Sequence, residues 1–182
     1  HTHTHTLALQ QFDSGAYIDT KSADLAAQLG RTLSLLPNLE VIHIPARPGI
    51  MSKCISLFPS FFEALSPPKV KKLYLGNVQD AGILDAICRN MPGLETLSLV
   101  QPCFYESTYR CNVLPLASLS SLRSLSLSLK FCGGFGGVEQ VFARLDSLKS
   151  LYVMSIKYVQ EQNLVHAYPQ SLECLHVGTI EG

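Results

Sequence analysis

The chain has 182 residues, of which 47% are hydrophobic and 15% charged. That size and apolar content suit one ordinary domain or one short repeat array with a real core, and exclude a disordered segment. Lys plus Arg and Asp plus Glu both number 14, so no net field draws the chain to nucleic acid or to an anionic membrane. No run approaches the roughly 18 uninterrupted apolar residues of a membrane span, and the N-terminus lacks a basic region followed by an apolar run of signal-peptide type. The six cysteines, Cys54, Cys88, Cys103, Cys111, Cys132 and Cys174, contain no CxxC pair. A secreted disulfide framework is denser and the chain shorter, so buried or idle thiols in a reducing compartment, cytoplasm or nucleus, are expected. Cys103 and Cys111 are the one pair close enough to staple a loop.

Taken in order, Leu7 and Leu9 in HTHTHTLALQ mark a first strand. His1, His3 and His5 belong either to that strand or to a tag remnant. Ser22 is a helix N-cap with Asp24 in the first turn, and Leu25, Leu29, Leu33 and Leu36 follow at helical steps. After a strand at Leu39–Ile44, the segment Pro45–Ser56 breaks the rhythm. Pro59 opens a short helix with Phe58, Phe61, Phe62 and Leu65 on one side, ended by Pro67 and Pro68. Ile83, Leu84, Ile87, Cys88 and Met91 make a third apolar helix face, closed by Pro92 and Gly93. Val100–Pro115 is a long connection without helical spacing, of the kind that tends to be functional or mobile. In Leu119–Leu129 the leucines step by three, then by two at Leu125, Leu127 and Leu129. The twos are strand alternation, with Ser124, Ser126 and Ser128 facing away from the core; the threes are chain turning into that strand. Beyond the Gly133–Gly137 turn, Val138, Val141, Phe142 and Leu145 form a fourth helix face.

The pattern L-x-x-L-x-L recurs from Leu39, Val70, Leu94, Leu122, Leu148 and Leu172, with anchors at Ile42, Leu73, Leu97, Leu125, Leu151 and Leu175. The spacing of about 24 to 31 residues lies in or near the range of leucine-rich repeats. The fold expected is therefore α/β: a leucine-rich repeat solenoid, a right-handed βα superhelix with a parallel sheet on the concave face and helices on the convex face. Residues 1–182 are expected to be a single domain of about six to seven irregular repeats, a piece of a longer protein. A doubly wound sheet is the competing layout, but its strands are near-continuous apolar runs covered on both faces, and here every strand alternates.

No G-x-S-x-G elbow, locally signalled Cys/His pair or H-E-x-x-H helix is present, and the reading is of a non-enzyme with no cofactor and no metal. His43 and His176 stand several strands apart, too far to share an ion. The Gly133–Gly137 run lacks the Lys-Ser/Thr of a phosphate loop and reads as a turn. Lys69, Lys71 and Lys72 make a basic spot too small for a phosphate track, and read as a solvated edge. What remains is the polar face of the strands, where His43, Lys72, Tyr74, Ser98, Ser124, Ser126, Tyr152 and His176 are the candidate protein-binding residues. Small hydroxyls flanked by Tyr and His combine adaptable hydrogen bonding with aromatic anchors. Taken singly, each Ser or Thr is equally at home as a merely tolerated residue of an exposed strand. The alternative is a small-ligand-binding protein or enzyme using the 100–115 loop or the 133–137 turn.

The phrases LSLLPNLEVIHI, MPGLETLSL, LSSLRSLSLSL and LDSLKSLYV resemble the repeat regions of fungal F-box/leucine-rich repeat proteins, and NVQDAGILDAI resembles the linker of ribonuclease-inhibitor-like repeats. The resemblance implies the substrate-recognition part of a ubiquitin-ligase receptor, with a protein partner on the concave face. It implies contact with the ligase adaptor only through F-box helices, which these residues do not include.

Overall fold

Alternation decides which side of each strand is apolar, and the strands place those sides together. In the computed structural model, β1 (His5–Ala8), β2 (Leu39–Ile44), β3 (Lys72–Gly76), β4 (Thr96–Val100), β5 (Ser124–Ser128), β6 (Ser150–Ser155) and β7 (Cys174–Thr179) form one sheet. Every pair is parallel and the strands lie in chain order. Residues 5–8, 23–44, 59–65, 69–76, 82–100, 113–128, 138–155 and 168–179 are described. Expectations for His1, His3, Leu9, Ser22, Phe58, Pro67, Pro68, Leu129, the Gly133–Gly137 turn, the Cys103–Cys111 loop, Cys54 and Cys132 lie outside them.

The register matches the repeat alignment residue for residue. Leu7, Ile42, Leu73, Leu97, Leu125, Leu151 and Leu175 pair in turn across the sheet. Ile44, Leu75, Leu99, Leu127 and Val153 form a second buried row, and Leu39, Val70, Leu94, Leu122 and Leu148 a third. Helices cover this side: α1 (Ala23–Ser34), α2 (Pro59–Ala64), α3 (Gly82–Asn90), a 3₁₀ helix (Leu114–Ser118) and α4 (Val138–Phe142). They pack side by side in chain order. Phe61, Phe62, Ile83, Leu84, Ile87, Val141 and Phe142 join the strand leucines in one continuous core.

The step of three has a backbone cause. The amides of Leu39, Leu94, Leu122, Leu148 and Leu172 donate to the carbonyls of Leu36, Met91, Leu119, Leu145 and Pro169, three residues earlier. A single tight turn thus precedes β2, β4, β5, β6 and β7, and before β5 it buries Leu119 and Leu122 beside Leu125. The strands then share a seam. The carbonyl of Lys71 accepts the amides of both Glu95 and Thr96, and those of Glu95, Arg123 and Lys149 each accept two amides from the next strand start in the same way.

Three expectations need correction. Leu36 does not extend the apolar face of α1, because the helix stops at Ser34 and the chain tightens through hydrogen bonds from Leu35 to Thr32 and from Leu36 to Leu33. That rotation leaves Leu35 and Leu36 79% and 44% exposed. The connection read as lacking helical spacing ends in the 3₁₀ helix, which starts beside Pro115 and buries Leu116. Leu175 holds its place in the leucine row but is 43% exposed, and Val177 50%; residues of α3 and α4 share the core with the middle strands, whereas β7 contributes none to it and no described helix lies between β6 and β7.

Leu125→Ala should lower stability by about 2–5 kcal/mol, whereas Leu175→Ala should cost about 1 kcal/mol or less. Urea unfolding of both variants measures the contrast. At Gly30, an added Cβ would lie 2.4 Å from the carbonyl oxygen of Phe61, so α1 meets α2 backbone to backbone. Gly30→Ala should therefore reduce the melting temperature, reversing the gain of about 1 kcal/mol that alanine ordinarily brings inside a helix.

Candidate functional site

Two rows of side chains define the face opposite the helices where each strand begins and at its middle. One runs Val41, Lys72, Thr96, Ser124, Ser150, Cys174, and the other His43, Tyr74, Ser98, Ser126, Tyr152, His176. All eight candidate residues stand on these rows. Their side chains are exposed or half-buried, and no described element lies across them. Parallel sheets are ordinarily covered on both faces.

The second row is close to a palindrome, with a His–Tyr pair at each end and two serines between. The rings of His43 and Tyr74 meet edge to face, 5.7 Å apart between centroids at 72°. Those of Tyr152 and His176 stack at 4.8 Å and 7°. Tyr74 and Tyr152 are three strand steps apart, about 14 Å at about 4.8 Å per strand. Within these two rows the interval carries hydroxyls: Ser98 and Ser126, with Thr96, Ser124 and Ser150 beside them. His43 and His176 are five steps apart, about 24 Å by the same spacing, so they serve separate ends of the face. Among the described residues, no group of three or more His, Cys, Asp or Glu side chains is placed to hold a metal ion.

Apart from Lys72, the charges nearest these rows stand at the rim where the chain enters the strands. The second position of each repeat gives Glu40, Lys71, Glu95, Arg123, Lys149 and Glu173, neighbours along the seam. Lys71 pairs with Glu95 at 2.7 Å and Lys149 with Glu173 at 2.6 Å. The hydrogen bond from Lys71 holds the Glu95 carboxyl below its usual range and raises the Lys71 ammonium in turn, with Arg123 and Lys72 adding to the field on Glu95. This column is visible in the repeat alignment once the second position is read downward, but reading each segment by itself misses it. Of the basic spot, Lys69 donates to Asn38 at 3.2 Å and Lys71 is bound to Glu95; Lys72 projects onto the face.

The helix side has a different opening, an open cleft of about 510 Å³ with Cys88, Arg89, Leu114 and Arg144 in its lining. Burial pushes the Cys88 thiol up to about 12, against a hydrogen bond with Ser118. It therefore stays protonated near neutrality and is a poor nucleophile. Cys174, by contrast, is a free and exposed thiol on the sheet face. No described helix is long and apolar enough to cross a membrane.

Neither a scan of protein-family models nor a search of curated proteins finds a match to this chain.

Because the Glu95 carboxyl is lowered in the folded state, its contribution to stability is complete above the ordinary value of 4.5 and is lost as pH falls through the folded-state value. Glu95→Gln should flatten that part of the stability curve and leave stability near neutral pH little changed at high salt. Thermal unfolding of both proteins across the acid range tests it.

Proposed function

We propose that the chain is a leucine-rich repeat solenoid, with the sheet on its concave face, acting as a non-catalytic protein-binding module. Its place is the substrate-recognition region of an F-box-type ubiquitin-ligase receptor of the cytoplasm or nucleus, with the adaptor held by F-box helices outside these residues. The solenoid reading is supported by repeat anchors that pair strand by strand, in chain order, over one row of leucines. The ligase role rests on the resemblance of the repeat phrases alone.

The observation that carries the binding reading is the row His43, Tyr74, Ser98, Ser126, Tyr152, His176. Aromatic side chains offer large contact area with few rotatable bonds, and hot spots of interfaces are enriched in tyrosine. Here each tyrosine is steadied by an imidazole ring against it. Serines between them keep the floor low, so that a partner's backbone can approach the sheet. The enzyme reading has less support, since the cysteine in the helix-side cleft, Cys88, is a protonated thiol.

Replacing Tyr74 and Tyr152 together by Ala should weaken capture of copurifying partners at least tenfold, about 1.4 kcal/mol, with an unchanged circular dichroism spectrum. Capture undiminished in that variant would refute the assignment of the binding face.

A further inference from the structure

Resting on that reading, we infer that the segment held on the sheet face is an extended acidic stretch of polypeptide, bearing carboxylates between two planar or apolar side chains about four residues apart. The charge balance of the face argues for it. Among the described residues, the two rows present one fixed cation, Lys72, together with imidazoles and hydroxyl donors, and no carboxylate at all. The rim does not cancel this. Glu95 and Glu173 are each occupied by a lysine of the neighbouring strand start. Arg123, at the head of β5, and Lys72 both contribute to the field on Glu95, but among the described residues neither forms an ion pair within 4.0 Å. Glu40, the remaining rim acid, is the second residue of β2, outside the interval between the tyrosines.

On the strands from Tyr74 to Tyr152, the charges left outside a close ion pair among the described residues, Lys72 and Arg123, are therefore both positive, beside hydroxyls that can donate to carboxylate oxygens. The about 14 Å between the tyrosines corresponds to about four residues of extended chain. Such a chain would run across the strands, along the rows, with an anchor on each His–Tyr pair. A basic segment meets Lys72 and Arg123 as like charges. For nucleic acid, two cations make no phosphate track.

The test is fluorescence anisotropy on the full chain with three labelled peptides, each with two tyrosines flanking three central residues, and differing only in having Glu-Asp-Glu, Gln-Asn-Gln or Lys-Lys-Lys there. The acidic peptide should bind about tenfold more tightly than the neutral one at low salt, a preference that shrinks as salt is raised. In Lys72→Gln/Arg123→Gln, whose fold is checked by circular dichroism, that preference should fall to about twofold or less. Equal affinity for the acidic and neutral peptides, tighter binding of the lysine peptide, failure of all three to bind, or an acidic preference that survives the double substitution would each overturn the inference. Loss of partner capture in the Tyr74/Tyr152 double variant alongside any of those results would leave the binding face standing and remove only the acidic occupant. Undiminished capture would remove the face itself.

Discussion

The whole arrangement depends on a single row of apolar side chains meeting across parallel strands. Ile42, Leu73, Leu97, Leu125 and Leu151 are fully buried and in register. Each removes from water an area worth about 1.5–3 kcal/mol. Because a slip of one residue would turn every leucine outward and every serine inward, burial of this row enforces the register, and with it the identity of the opposite face. The helices are subordinate to it. α2 and α4 are only six and five residues long, too short to persist in water without the sheet beneath them.

This explains what could be read from the amino-acid order and what could not. The strand leucines and the α3 face, Ile83, Leu84, Ile87, Cys88 and Met91, were legible because burial on one side imprints a period on the chain. Leu36 misled because the apolar spacing of α1 runs on past the point where the backbone tightens, and spacing alone does not register a change of winding. The 3₁₀ helix at Leu114–Ser118 left no trace, since five residues with a proline near the start are too few to display a period. Leu175 matched the pattern in every respect, yet pattern reports which face a residue takes and says nothing of whether another element covers it.

For the candidate face, the positions were legible and their interplay was not. Alternation places Tyr74 and Tyr152 on the polar side, but that each is buttressed by a histidine of the adjacent strand follows only from register. The same holds for the rim, where Lys71 and Glu95 stand 24 residues apart in sequence and 2.7 Å apart in space. The sheet thus separates its duties: cohesion on the leucine side, paired charge along the edge where strands begin, and a face of rings, hydroxyls and the single cation Lys72 left available.

The doubled hydrogen bonds of the seam carry one more implication. The starts of β4, β5, β6 and β7 each take their position from the main chain of the neighbouring strand, through a carbonyl that receives two amides, a bond that no side chain of the connecting stretch makes. Outside the helices that fill the core, those stretches can therefore gain or lose residues while the two surface rows stay aligned. Such a scaffold leaves evolution free to rewrite its connections without disturbing what the molecule touches.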